Sequence, residues 1–352
     1  MVLIALSYCP ATPVMRKVAF SISLLLGAAC SPSLPAQIPS AQSEDAPASG
    51  ISGDLSKIPL APAQRLELED ALSRHDFKRA ETILVEESNR NPKSPEAAKL
   101  LEIAGSLFFQ DRQYLDAAIA WKRSEAILPL DPRSRFTLAM TCIKLGRSDW
   151  ARVELEKLVA TQPTSVLYLY WLARLDYDAQ SYSAAVERLR KVIEMDPSMM
   201  RAYDLLGLCH DYLGQFDEAI RSYTRAVELN RLQPKPSPWP LVDMSISLVA
   251  VNRLPEAEKS LREALSYDVR LAQAHYQLGR VLEMQRQDQA AIQSLNQAVA
   301  LDSSYPDPHY LLGRVYQRLG EEQLAKTEIE QFKRLSKTRD TPALPGSRPP
   351  TE

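Results

Sequence analysis

The sequence predicts an all-α fold, an α-solenoid of about eight stacked helix-turn-helix units, and three observations carry that prediction. First, residues 200–233, MRAYDLLGLCHDYLGQFDEAIRSYTRAVELNRLQ, form one complete unit of 34 residues whose pattern recurs along the chain. Second, an alanine returns at the same place of every unit: Ala80, Ala117, Ala151, Ala185, Ala219, Ala257, Ala291 and Ala325. Third, each half-unit spaces its apolar residues as a helix does. Leu206, His210 and Leu213 mark one helix, and Phe216, Ile220, Tyr223 and Val227 the next.

The unit has a physical logic. Gly207 and Ala219 are small where two helices must approach closely, so the recurring alanine has a steric cause. Gly214 marks the turn between them. A lone helical hairpin cannot bury both of its faces, so such units must stack and share one core. Numbered from Met200, the unit carries Tyr203 at place 4, Leu206 and Gly207 at 7 and 8, His210 at 11, Phe216 at 17, Ala219 at 20, Tyr223 at 24 and Ala226 at 27. With that spacing the chain resembles the tetratricopeptide repeat (TPR) family, and the resemblance implies a right-handed α-solenoid of about eight TPR units.

In chain order, residues 1–36 read as a signal region. From Met15 the segment has two basic residues, Arg16 and Lys17, an apolar run from Val18 to Ala29, and small residues after it, the layout of a secretory signal peptide. Met15 is then an alternative start to Met1. The run is too short to span a bilayer as a stable helix. Cleavage after Ala36 would leave Gln37 first, whereas cleavage before Cys30 would resemble a bacterial lipoprotein site with Gly27 where Leu is preferred. Export to the periplasm or medium, and a membrane-tethered lipoprotein anchored at Cys30, are the two expectations. Residues 37–60, rich in Ser, Ala, Pro and Gly without apolar periodicity, read as a disordered tether.

The array spans 61–339. Its units fall near 61–94, 98–131, 132–165, 166–199, 200–233, 238–271, 272–305 and 306–339. The first is degenerate, with a polar first helix suited to a terminal cap. Between units five and six, RLQPKPSPWPL cannot continue a helix and reads as an extended connection, with Trp239 either packed back on the array or exposed for recognition. In the last helix Leu324, Ala325, Ile329, Phe332 and Leu335 share one face, which would close the core. Residues 340–352 read as a disordered tail.

Composition narrows the function. The 352 residues are 45% hydrophobic, 7% aromatic and 24% charged, as in a helical array, and a net charge of −2 gives no basis for a nucleic-acid partner. Cys9, Cys30, Cys142 and Cys209 show no metal-binding spacing, and Cys142 and Cys209 read as buried thiols. GxSxG, HExxH, GxGxxG and Walker motifs do not occur. Of the histidines, His75 lies in the capping unit, His210 faces the core, and His275 and His309 stand at a packing place without further ligands at metal spacing. No catalytic residue, cofactor or metal site is expected.

In the family, first helices line a concave groove through places 2, 5, 9, 12 and 13. Carried over, the resemblance implies Tyr170, Arg174 and Tyr177 in unit four, Asp204 and Asp211 in unit five, Tyr276, Arg280 and Glu283 in unit seven, and Tyr310, Arg314 and Arg318 in unit eight. Tyr and Arg one helical turn apart recur three times, at 170/174, 276/280 and 310/314. Two guanidinium forks beside two tyrosines suit an acidic or carboxylate-ended segment. The same residues also read as a solvated helix face, with Glu283 and Asp307 diluting the positive field. The family's carboxylate clamp has Lys and Asn where this chain has Arg65 and Glu69 in unit one, and Glu102 and Ser106 in unit two, so docking of that type is not expected. The resemblance thus implies a non-catalytic protein–protein interaction scaffold of the bacterial cell envelope that binds a protein or peptide in its groove. The alternative is an accessory subunit presenting substrate to a separate enzyme.

Overall fold

A computed structural model describes residues 58–340. These residues form sixteen helices: α1 (Pro62–Ser73), α2 (Phe77–Arg90), α3 (Pro95–Gln110), α4 (Tyr114–Glu125), α5 (Pro132–Lys144), α6 (Ser148–Thr161), α7 (Val166–Asp178), α8 (Tyr182–Met195), α9 (Met200–Tyr212), α10 (Phe216–Asn230), α11 (Trp239–Ala250), α12 (Leu254–Tyr267), α13 (Ala272–Met284), α14 (Asp288–Leu301), α15 (Pro306–Leu319) and α16 (Glu322–Asp340). Among the described residues there is no strand, and each helix packs on the next in sequence. The all-α array of eight hairpins that the periodicity predicts is therefore what this chain forms. The signal region 1–36, the tether from 37 to 57 and the tail beyond 340 lie outside the described residues.

Packing inside each hairpin follows from two small places facing one large one. All eight repeated alanines are buried. Opposite Gly105, Gly207, Gly279 and Gly313 stand Trp121, Tyr223, Leu295 and Ile329, so close that an added Cβ would come within 2.5 to 2.8 Å of those side chains. Two hairpins place alanine and leucine at the same crossing, Ala139 with Leu155 and Ala173 with Leu189, all buried. The apolar face of α10 is buried as its spacing requires, but Leu213 falls in the turn after α9 and is exposed. Likewise Leu324 is exposed on α16, while Ala325 is buried and Ile329 and Phe332 are half-buried. Cys142 and Cys209 are buried thiols, and burial pushes them up to about 11 and 12.

Every hairpin turns through a left-handed residue. Gly146, Gly214 and Gly320 supply it in three hairpins, and His75, Arg112, Gln180, Asn252 and Arg286 in the other five, all at φ between 58° and 79°. Each sits at the fifteenth place of its unit. At the left-handed residue its own amide and the next turn back onto helix carbonyls, as Arg112 and Gln113 do onto Phe109 and Phe108.

The ends and the one long connection are held by side chains. Ile58 and Leu60, in the last residues of the expected tether, are buried, and Arg65 Nη2 donates to both of their carbonyls at 3.1 and 3.2 Å. Between α10 and α11 the buried Asn230 side chain donates to the Ser237 carbonyl at 2.7 Å and accepts from its N–H at 2.8 Å. That clasp closes the proline-rich loop, and Trp239, half-buried, becomes the first residue of α11.

First helices also touch first helices: α3 with α5, α7 with α9, α9 with α11, α11 with α13, and α13 with α15. Second helices make no such contacts with one another among the described residues. The first helices therefore crowd the inner side of the stack, and the even-numbered helices form its outer side.

Candidate functional site

The inner face is the surface that repetition builds, and its chemistry changes along the array. In the last two hairpins Tyr276 on α13 packs its ring 5.1 Å from Tyr305, and burial raises its hydroxyl pKa. Tyr310 on α15 is exposed, with its ring 5.3 Å from Phe332. Arg280 donates weakly to Gln277 Oε1 at 3.5 Å. Arg314 and Arg318 meet the protein's own acids, with Glu283 3.3 Å from Arg314 and 2.7 Å from Arg318, and Asp288 also bonded to Arg318. Their guanidinium forks are thus partly occupied, because a glutamate at place 12 of one unit lies beside places 9 and 13 of the next.

Earlier in the array the tyrosine–arginine pair is arranged differently. Tyr170 is buried with its ring edge-on to Trp171, so it belongs to the core and not to an accessible wall. Arg174 donates from Nε to Asp178 at 3.1 Å and lies 5.6 Å over the ring of Tyr177. Tyr177 in turn meets Tyr182 and Tyr212 edge-on, and those two rings stack 4.7 Å apart.

The centre of the inner face is acidic. Asp211 accepts from Ser247 Oγ at 2.6 Å and from Tyr223 Oη at 2.8 Å, and burial raises it to about 6 against those two hydrogen bonds. Asp204 on α9 and Asp243 on α11 are half-buried. Burial pushes Asp204 up to about 7 against the pull of Arg174. Asp243 rises well above the carboxylate range through burial and the charges of Asp204 and Asp211. Asp243 occupies place 6, which the groove pattern omits, so the repeat register passed over it. The signal available in sequence was its proximity, across one repeat, to the groove places of Asp204 and Asp211.

Several other buried acids of the array are satisfied internally, Glu81 being an exception that burial and the charge of Asp111 raise to about 7. Glu154 is buried under Lys122, Arg135 and Lys157, and Asp176 between Arg152 and Arg188. Burial alone would raise Glu125, yet hydrogen bonds from Lys122, Arg135 and Lys157 hold it at about 2. Glu102 and Asp131 solve their proximity by hydrogen-bonding to each other, which together with burial lifts Glu102 to about 7. The buried histidines are likewise engaged, His210 with Gln215 and His309 with Glu328, both at 2.6 Å. Among the described residues no group of three or more His, Cys, Asp or Glu is arranged to hold a metal ion, and no helix is long and apolar enough to cross a membrane.

Comparison with known proteins places this architecture. Three family profiles match, one described as TPR repeat at residues 287–320 and two described as tetratricopeptide repeat at 170–235 and 306–339. No curated protein sequence matches the chain. Among solved structures, a tetratricopeptide repeat protein from Parabacteroides merdae has a TM-score of 0.54 at 15% identity, covering 77% of this chain and 98% of that one. PilW, described as a widely conserved type IV pilus biogenesis factor, has a TM-score of 0.53 at 17% identity, covering 60% and 94%. A chain of the APC/C hetero-tetramer Cut9-Hcn1 has a TM-score of 0.53 at 16% identity, covering 71% of this chain and 48% of that chain. At these identities the likeness is one of fold.

Proposed function

From the premise that this chain is a tetratricopeptide repeat protein, we propose that it is a non-catalytic scaffold that takes an extended segment of another protein along its inner face. The observation that supports this reading most directly is the crowding of first helices on one side, unbroken from α7 to α15, which leaves an inner surface of Tyr, Arg and Asp side chains. Buried aromatic rings with polar tips and charged groups on a rigid frame are what protein recognition uses. Tyr276, Arg280, Tyr310 and Arg314 supply one stretch of that wall, Arg174 and Tyr177 another.

Photo-crosslinkers at Tyr276 and Tyr310 test it against crosslinkers at Glu187 and Asp217, which are exposed on the outer helices α8 and α10. One dominant partner trapped from the inner positions alone is the expected result. Equal trapping from both sides overturns the reading. The setting we propose is the bacterial cell envelope, motivated by Arg16, Lys17 and the apolar run from Val18 to Ala29. Intact mass of the natively expressed protein checks it, since a full-length unmodified chain would sink export.

A further inference from the structure

We propose that the inner face between α7, α9 and α11 is a seat for a cationic side chain, a lysine or arginine of an extended partner segment, held between the carboxylates of Asp204 and Asp243. This deepens the groove reading above and rests on it.

Placement comes first. Asp243 on α11 interacts electrostatically with Asp204 and Asp211 on α9 and with Tyr177 on α7. A group that reaches two preceding first helices at once stands on the inner side, where first helices meet. Asp204 and Asp243 are both only half-buried, so a partner can reach them.

The second observation is that no described residue satisfies them. Among the described residues no hydrogen bond or ion pair reaches either carboxylate, and Asp204 Oδ1 is enclosed with no partner at all. Glu154, Asp176 and Glu283, buried to a similar or greater extent, each carry at least two cationic partners. Nor do Asp204 and Asp243 share a hydrogen bond as Glu102 and Asp131 do; the charge of Asp204 adds to burial in disfavouring ionised Asp243. The one cation whose field reaches Asp204 is Arg174, and its Nε is committed to Asp178. Two poorly hydrated, unpaired carboxylates are costly unless a cation arrives from outside.

The surroundings choose the kind of cation. Asp211 has both oxygens occupied, by Ser247 and Tyr223, so it has little left for the dense oxygen shell that a hard metal ion demands. An ammonium or guanidinium needs only acceptors on two sides. Burial and mutual repulsion favour a proton on the empty pair, so binding a cation should displace it.

The test uses the full chain and a fluorescein-labelled peptide of alternating lysine and glycine, with its lysine-acetylated counterpart, followed by anisotropy at about 0.1 M salt where long-range attraction is damped. The lysine peptide should bind the native protein and the acetylated one should not. Asp204→Asn/Asp243→Asn should weaken binding about tenfold or more, a typical loss for a desolvated charge contact. Glu187→Gln/Asp217→Asn, which removes the same charge from the outer helices, should leave it unchanged. A melting temperature at or above the native value shows that the inner variant is folded. Equal binding by both double variants overturns the seat, as does absence of binding by the native chain. A calcium-dependent rise in melting temperature abolished by Asp204→Asn/Asp243→Asn, without peptide binding, overturns it in favour of a metal. If crosslinkers at Tyr276 and Tyr310 trap a partner while the inner variant binds lysine peptide normally, the seat fails and the groove reading survives.

Discussion

Two stretches of the same inner face treat charge in opposite ways. In the last two hairpins the arginines that look most available, Arg314 and Arg318, are met by Glu283 and Asp288 of the preceding hairpin. In the middle hairpins Asp204 and Asp243 form no ion pair among the described residues, and the nearby Arg174 is engaged with Asp178. Both stretches come from one repeat plan. The comparison teaches that a charge on a solenoid wall becomes available or silent according to what the neighbouring repeat places beside it. A repeat considered alone does not carry that information.

Substitutions in both stretches put this contrast to the test. The largest effect is expected at Gly207, where an added methyl would lie 2.5 Å from the Tyr223 ring, itself pinned by its hydroxyl on Asp211. Gly207→Ala should cost about 3 kcal/mol in chemical denaturation. Adding Tyr223→Leu should recover much of that loss, since Ala173 over Leu189 is the arrangement two hairpins use already. Should the double variant be no better than the single, the crossing is not limited by that contact.

Next comes a pair of acid removals with opposite signs. Glu283→Gln takes the partner from two arginines and should destabilise by about 2 kcal/mol, part of the pairing being solvent-screened at Arg314. Asp243→Asn removes an uncompensated carboxylate and should stabilise by about 1 kcal/mol at pH 8. Two losses of equal sign would erase the distinction drawn between the stretches.

The pH dependence of that gain follows from the direction of the shifts. Asp204, at about 7 in the fold, and Asp243, well above its ordinary value, hold protons more tightly folded than unfolded. Their contribution to stability is therefore fully present below the unfolded carboxylate value near 4 and is lost as pH rises toward and through the folded values. Glu81 and Glu102, both at about 7, slope the same way, so the difference between native chain and variant is the informative quantity. Melting temperatures of the native chain and Asp204→Asn/Asp243→Asn should converge near pH 4 and separate up to pH 8. Parallel curves would mean that these carboxyls titrate normally.

The smallest effect is expected at the turns. Arg286→Gly, in the stretch with silenced arginines, and Gln180→Gly, beside the acidic one, should each stabilise by roughly half a kcal/mol, relief of a left-handed side chain offset by the entropy of glycine. Equal gains at both turns would show that the contrast lies in the charges and not in the hairpin frame.

Much of the fold was legible in the sequence because its causes are steric and local. A recurring alanine and a small residue opposite a large one describe a helix crossing directly, and burial of all eight alanines follows. The turn was less legible, since only three of the eight left-handed residues are glycine, and the hairpin imposes that conformation on Arg112 or Gln180 all the same. Groove chemistry was legible in residue type but not in availability. Arg318 and Tyr170 stand at groove places by register, yet one is bound to Glu283 and Asp288 and the other is drawn into the core. The arginine's outcome depends on pairs 30 to 35 residues apart, one repeat away, whose side-chain lengths decide whether they meet. Asp243 escaped because it sits one place from the expected register, where the longer connection before α11 precedes it.

Because each helix contacts only its nearest neighbours and, for first helices, the next-nearest ones, no helix contact among the described residues ties the first hairpin to the last. The array is a chain of weakly dependent links, and rupture of one link leaves those beyond it intact. Amide exchange should then form a gradient, fastest at α1 and α16, where a hairpin has one neighbour, and slowest near α9 and α10, where it has two. The unpaired carboxylates lie in that slow interior. A cation arriving there would add its grip to the joint least able to open by itself, and its arrival would be felt as a stiffening of the middle hairpins while the terminal ones stay loose.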